Sequence, residues 1–340
     1  MLWPARCAGT SSSRAADPVS LPAEFALIAR HFRGLAGEGA LDLSDDAAIL
    51  APPPGRELVL AADAMVEGVH YLPDDPPETI GRKLLRVNLS DLAAMGAEPL
   101  AYLMTTALPR GTSPAWLEGF AAGLAADQRQ FGLHVLGGDT VSIPGPACLS
   151  LTILGTVPPG AALRRGGARP GDALWVSGTI GDGALGLAVL QGRAPADAEG
   201  HLARRYRLPE PRLALGVALR GLARVAMDVS DGLAQDLGHL CRAGGVGAVL
   251  ELGSLPLSPP AAAIVAEDPS WLPRLATGGD DYELLFAADP DDTLRIREAA
   301  RATGTAATRI GHFTDGPPEV TVRAPDGRAM TLPQGGWSHF

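Results

Sequence analysis

Residues 78–95 read Glu78-Thr-Ile80-Gly-Arg-Lys-Leu84-Leu-Arg-Val87-Asn88-Leu-Ser-Asp91-Leu-Ala-Ala-Met95. Pro76-Pro77 lead into this stretch, and Gly96 and Pro99 stop it, so the spacing predicts one long helix. Ile80, Leu84, Val87 and Asp91 follow one another at steps of 4, 3 and 4, which sets them on a single stripe. Three of the four are apolar and face a core. The fourth is a carboxylate, which needs a partner in such surroundings.

Alternating elements extend outward from this helix. Upstream, a first helix opens at Leu21 with Phe25, Ile28 and Phe32 on one face, a strand carries Asp45 and Asp46 toward Ile49-Leu50, and another runs over 58–63. Downstream, a strand over 100–108 and a helix over 116–131, with Leu117, Phe120, Ala121 and Leu124 inward, precede strands over 133–136 and 148–157. Asp139 is expected to close the turn Leu136-Gly-Gly-Asp139-Thr140. Pro158-Pro159-Gly160 marks the domain boundary. Beyond it strands are expected over 173–177, 224–228, 247–252 and 282–286, with helices over 184–190 and from Ser230, its cap, through Cys241. Residues 1–20 carry Trp3, Pro4, Arg6 and a serine run without an apolar signal core, and are expected to be a disordered extension. The expected division is 1–20, 21–157 and 158–340.

The 340 residues suffice for two domains and a large core. A hydrophobic share of 46% with 19% charged residues fits a soluble globular enzyme. A formal charge of -10, without any Lys/Arg cluster, argues against a nucleic-acid partner. No apolar run reaches membrane-spanning length. Cys7, Cys148 and Cys241 are far apart and show no metal spacing, which fits a reduced, cytoplasmic compartment.

The chemistry is carried by aspartates: Asp46, Asp63, Asp91, Asp139, Asp228 and Asp231. Asp63 ends an apolar run, and Asp228 and Asp231 bracket the strand-to-helix turn Met227-Asp228-Val229-Ser230-Asp231-Gly232. Singly, each reads as a cap or turn residue. Together, and with Asp91 on an apolar stripe, they favour a cluster around a cation. Mg²⁺ suits an all-oxygen set that also meets phosphates, which points to phosphoryl transfer. Gly181-x-Gly183-x-x-Gly186 lacks the acidic residue a dinucleotide site needs, so its glycines are read as packing devices, and no P-loop is present. His70 at a strand end, Arg165 in a Gly-flanked loop and Trp337 beside Gly335-Gly336 stay open between functional and ordinary surface or core roles.

Several stretches nonetheless resemble one family. Asp-Asp-Ala-Ala-Ile-Leu at 45–50, Asn88-Leu-Ser-Asp91-Leu-Ala-Ala-Met-Gly-Ala97, Gly137-Gly-Asp-Thr140, Asp228-Val-Ser-Asp-Gly-Leu233, Gly278-Gly-Asp-Asp-Tyr-Glu-Leu284 and Trp337-Ser-His-Phe340 resemble thiamine-monophosphate kinases in order and spacing, from about residue 21 onward. The resemblance implies a two-domain fold: an N-terminal α+β domain whose sheet dimerises into a barrel, and a C-terminal α/β domain with a mixed sheet. It implies a cytoplasmic homodimer that uses ATP and several Mg²⁺ ions to phosphorylate thiamine monophosphate to thiamine diphosphate. By motif position the six aspartates would be metal ligands; Gly138, Arg165 and Ser230 would contact ATP; His70, Asp280 and Trp337 would contact thiamine monophosphate. No catalytic base is implied, since the nucleophile is a phosphate oxygen that is already largely anionic. Alternatives are another ATP-dependent enzyme of the aminoimidazole-ribonucleotide-synthetase superfamily, and a non-catalytic nucleotide- or thiamine-binding protein. Three departures stand out. Asp42-Leu43-Ser44 replace the family's Gly-Ile-Gly, Ala61-Ala62 replace Ser-Thr, and Asp280 replaces Glu.

Overall fold

The computed structural model describes residues 23–332 and 336–338. Residues 1–22, where the extension and the start of the first helix are expected, lie outside the described residues, as do 333–335 and 339–340. The elements are α1 (Ala23–Leu27), β1 (Glu57–Val66), α2 (Pro77–Ala94), β2 (Glu98–Pro109), α3 (Pro114–Phe131), β3 (His134–Ile143) and β4 (Cys148–Val157). They continue as β5 (Ala173–Ser177), α4 (Asp182–Leu190), α5 (His201–Arg207), α6 (Leu213–Ala218), β6 (Ala223–Asp228), α7 (Leu233–Gly244) and β7 (Gly247–Glu251). The chain closes with α8 (Pro259–Glu267), α9 (Trp271–Leu275), β8 (Leu284–Ala288), α10 (Thr293–Ala302), β9 (Ala307–Thr314), β10 (Val320–Arg323) and β11 (Ala329–Met330).

Two mixed sheets organise two domains. The first has order β1-β4-β2-β3, antiparallel except for the parallel pair β2–β3. The second has order β11-β10-β7-β9-β5-β8-β6, antiparallel except for β10–β7. The first sheet is open in the single chain, with β1 and β3 at its edges.

Helix α2 begins with proline at its first turn, where no amide donor is lost. Ile80, Leu84, Leu85, Val87, Leu89 and Leu92 are all buried, against the inner face of the first sheet, helix α3 and the second domain. Each such side chain contributes roughly 1.5–3 kcal/mol, so this helix anchors the N-terminal core. Helix α3 is capped by Ser113, whose hydroxyl accepts from the Trp116 amide, and its Phe120 packs against Trp116 and Phe32.

Five local expectations fail. Residues 44–50 form no strand: 45–47 are bends and the rest is irregular, with Ile49 N donating to Gly39 O and the segment joining neither sheet. Phe25 is exposed, and of the three positions on that face only Phe32 is buried. Gly137-Gly138-Asp139-Thr140 is no turn: β3 runs straight through it, paired in parallel with Leu103 to Thr106 after a register shift. Ser230 does not cap α7; the N-cap is Gly232, and the buried Asp236 carboxylate accepts the amides of Ser230, Asp231 and Gly232. Strand β8 also starts at Leu284, two residues later than expected.

No described helix is long and apolar enough to cross a membrane.

Candidate active site

Strand and helix ends from both domains meet around a cavity of about 940 Å³. Nine of the twelve singled-out residues line it: Asp63, His70, Asp91, Arg165, Asp228, Ser230, Asp231, Asp280 and Trp337. The other three, Asp46, Gly138 and Asp139, line a separate cavity of about 620 Å³ against the first sheet.

Asp63 stands on β1, where its amide donates to Asn88 Oδ1 at 3.0 Å; Asn88 in turn donates to Leu84 O within α2. This ties the strand to the helix that carries Asp91. Asp228 ends β6 and accepts from Ser90 Oγ at 2.7 Å, across the domain junction. The carboxylates crowd one another. Burial raises the Asp91 carboxyl to about 8, with Asp228 and Asp63 adding to the rise and Arg165 opposing it. Burial likewise raises Asp228 to about 6, the Ser90 hydrogen bond opposing and Asp63 adding. Asp63 is raised by burial and by Asp231, and Asp236, behind the turn, is raised to about 7 by burial, Asp228 and Asp231. Tyr282 is pushed up by burial and by four surrounding carboxylates.

Hydrogen bonds pair the Gly278-Gly279-Asp280 turn with the Asp228–Asp231 turn: Asp280 N donates to Ser230 O and Tyr282 N to Val229 O. The approach is so close that a Cβ on Gly279 would stand 2.3 Å from Ser230 O, so only glycine fits. Asp280 and Tyr282 take left-handed backbone, with φ of 68° and 51°. Such strain in non-glycine residues concentrates where side chains must be aimed. Trp337 N donates to Asp231 O, and Gln235 Nε2 donates to Trp337 O, which pins the C-terminal segment at the cavity. The Trp337 side chain remains half exposed. His70 Nδ1 accepts from Val66 N, so the imidazole is fixed to the turn after β1.

The second cavity differs. Asp46 and Asp139 are exposed; Asp139 Oδ1 accepts its neighbour's amide, Thr140 N, at 2.8 Å. Gly138 has φ of 156°, and a Cβ there would meet Met104 O at 1.7 Å, so its glycine is required by strand packing.

Sequence reasoning missed Lys83, Ser90, Tyr282 and Asp236. Lys83 is buried beneath the cavity wall, and Tyr282 lines it. A polar residue inside an apolar helix stretch was the available signal, and it was followed for Asp91 alone.

Residues 44–157 match the family model "AIR synthase related protein, N-terminal domain", and residues 169–323 match "AIR synthase related protein, C-terminal domain". The chain is 47% identical to the thiamine-monophosphate kinase of Caulobacter vibrioides over 96% of its length and 93% of that protein's. It is 41% identical to the Escherichia coli K12 thiamine-monophosphate kinase, covering 93% of this chain and 98% of the relative. The chain belongs to the thiamine-monophosphate kinase family. Among solved structures, the thiamine-monophosphate kinase of Stenotrophomonas maltophilia superposes with a TM-score of 0.79 at 41% identity, over 91% of this chain and 98% of that one. A structure described as AaThiL complexed with AMPPCP and TMP superposes with a TM-score of 0.74 at 30% identity, over 87% of this chain and 91% of the other.

Among the described residues, no group of three or more His, Cys, Asp or Glu side chains is placed to hold a metal ion by itself. The donor set still fits Mg²⁺: several carboxylates share one cavity, and burial and mutual repulsion favour their neutral forms unless a cation joins them. Mg²⁺ ordinarily takes one or two carboxylates and completes its shell with water and phosphate oxygens.

Proposed function

We propose that this chain transfers the γ-phosphoryl group of ATP to the phosphate of thiamine monophosphate, giving thiamine diphosphate and ADP. Family membership supplies the reaction, and one observation carries the assignment of the site: the carboxylate group, Arg165, Ser230, His70, Asp280 and Trp337 share one cavity at the domain junction. The relative bound to AMPPCP and TMP supports ATP and thiamine monophosphate as co-substrates.

The difficulty is to bring two polyanions together. Asp63, Asp91, Asp228 and Asp231 would hold Mg²⁺ on one side, with Asp46 and Asp139 as further ligands. Bound there, Mg²⁺ supplies the positive charge that screens donor and acceptor phosphates from each other. The remaining work falls to side chains. Arg165, exposed at the cavity, offers a guanidinium that can fork onto phosphate oxygens. Ser230 and the Gly138 backbone contact the nucleotide. Asp280 and His70 orient thiamine monophosphate, and the Trp337 ring offers a π face to its thiazolium cation. No residue has to remove a proton.

The outer face of the first sheet exposes Leu58, Leu60, Leu103 and Val141. Exposed apolar residues on an open sheet support a homodimer that pairs two such faces into a barrel. The domain division is proposed at 157/158, after β4, with 21–157 and 158–340 as the units.

The test is ADP release in a coupled assay with purified protein, Mg²⁺, ATP and thiamine monophosphate. Turnover dependent on thiamine monophosphate is expected. Binding of both ligands without ADP release would leave a non-catalytic binder, and turnover only with an amide acceptor would point to a superfamily enzyme of another reaction.

A further inference from the structure

Lys83 projects from α2 and is only 2% exposed. It does not line the cavity. Its ammonium has three partners: Nζ donates to His70 O at 2.9 Å, lies 3.3 Å from Asp280 Oδ1, and sits 3.9 Å from the centroid of the Tyr206 ring. A carbonyl, a carboxylate and a π face thus surround the ammonium, which offsets the large cost of burying a cation. The partners come from both domains. His70 follows β1, Tyr206 belongs to α5, and Asp280 lies in the strained turn before β8.

We infer that Lys83 is a positioning residue for the acceptor substrate: it locks the Asp280 carboxylate and the His70 turn into one arrangement across the domain junction. The inference rests on the reading that Asp280 and His70 contact thiamine monophosphate. Asp280 has a short side chain and a left-handed backbone, so its reach is fixed within narrow limits. The ammonium selects which way that carboxylate points. Through the His70 carbonyl, the same atom sets the turn whose imidazole is already held by Val66 N. Removal of Lys83 frees both groups at once, at the acceptor end of the cavity. Asp91, Asp228 and the nucleotide contacts do not bond to it and keep their places.

The experiment is steady-state kinetics on Lys83→Met, Lys83→Arg, Asp280→Asn, His70→Ala and the combined Lys83→Met/Asp280→Asn chain, with Tm for each. Lys83→Met should raise KM for thiamine monophosphate tenfold or more and change KM for ATP less than twofold. Lys83→Arg keeps the charge but not the reach, and should fall between wild type and Lys83→Met. The combined variant should fall well short of the product of the two single effects, because the Lys83 change acts in part through the same Asp280 carboxylate. The inference is overturned if Asp280→Asn raises KM for thiamine monophosphate while Lys83→Met does not, or if the two effects multiply. Equal losses for both substrates in proportion to a fall in Tm would also overturn it, reducing Lys83 to a structural ion pair. If Asp280→Asn and His70→Ala both leave KM for thiamine monophosphate unchanged, the underlying reading of the acceptor site fails instead. Should Lys83→Met not fold, Lys83→Arg decides alone: a selective rise in KM for thiamine monophosphate supports the lock, and wild-type values refute it.

Discussion

The two cavities hold the same kind of residue in opposite physical states. At the domain junction Asp63, Asp91 and Asp228 are buried or half-buried, and burial and mutual repulsion raise their carboxyls. Against the first sheet, Asp46 and Asp139 are exposed. A buried, uncompensated carboxylate costs folding free energy, whereas an exposed one costs little. The junction therefore holds stability in reserve for a cation, and the sheet cavity does not. If all six aspartates serve one reaction, the second cavity has to be completed by something else, such as the sheet of a second protomer, or phosphate groups that span both.

Asp91→Asn tests the contrast most severely. It should cut phosphoryl transfer by about a thousandfold, the scale of losing a preorganised charged group at a reacting phosphate. It should also raise the Tm of the metal-free protein, because a buried repulsion disappears. Asp139→Asn should lower activity without any gain in metal-free Tm. A stabilised Asp139→Asn, or an unchanged Tm for Asp91→Asn, would erase the distinction.

The second prediction is the pH dependence of metal-free stability. Asp91 and Asp228 start from an ordinary value of 3.8 and reach about 8 and about 6 when folded. Below the unfolded value both states are protonated and no penalty exists. Above it the unfolded chain sheds protons that the folded chain retains, so stability falls as pH rises from about 4 to about 8, by roughly 1.4 kcal/mol per pH unit for each such proton. Thermal melts in chelator should show that decline, and Asp91→Asn should flatten its upper part. A flat profile would mean that the carboxylates are better solvated than their burial indicates.

How far the sequence carried these conclusions depended on the kind of signal. Apolar spacing located α2, α3, β4 and β5, because burial and helical or strand geometry are local properties. The carboxylate on the α2 stripe likewise announced itself. The partition of the aspartates was invisible: which face of which strand a residue occupies depends on register and on the partner domain. Gly137-Gly138 illustrates the limit, since glycine that serves close strand contact carries the same letters as glycine that makes a turn. Ser230 was misjudged because the amides that a cap would serve are taken by Asp236, six residues on.

Trp337 gives the third test. Its backbone is anchored at Asp231 while the ring is half exposed at the cavity. Trp337→Ala should raise KM for thiamine monophosphate about five- to thirtyfold, from a contact worth on the order of 1–2 kcal/mol, and leave KM for ATP nearly unchanged. Phe should recover part of the loss. Equal effects on both substrates would mark the ring as a mere anchor for the C-terminal segment.

A smaller effect is expected at Ala61-Ala62. Alternation along β1 puts Ala61 on the inner face with Val59, Asp63 and Met65, and Ala62 on the outer face with Leu60. The two hydroxyls that the family resemblance implies here therefore cannot both aim at the Asp63 cavity. Ala61→Ser should lower the half-saturating Mg²⁺ concentration, and Ala62→Thr should not. The reverse result would move the metal requirement to the outer face, beside the second cavity.

The smallest expected change lies at the entrance to that second cavity. Leu41, Asp42 and Leu43 all take left-handed backbone, with φ of 50°, 58° and 54°. A left-handed residue with a Cβ costs about 1–2 kcal/mol, and aspartate is among the more tolerant. The family resemblance implies glycine at 42 and 44, so this chain keeps the strained path without the residue that makes it free. Asp42 is exposed, and replacing it disturbs no packing. Asp42→Gly should relieve the strain but give back about 0.5–1 kcal/mol in unfolded-chain entropy. The net gain should be at most about 1 kcal/mol, a rise of a few degrees or less in Tm. Activity should hold or improve slightly, since Asp45 and Asp46 follow on a loop that becomes easier to place. A loss of stability would show that the left-handed run is enforced by its surroundings at no cost, and that the 41–50 segment is as firmly determined as the domain junction.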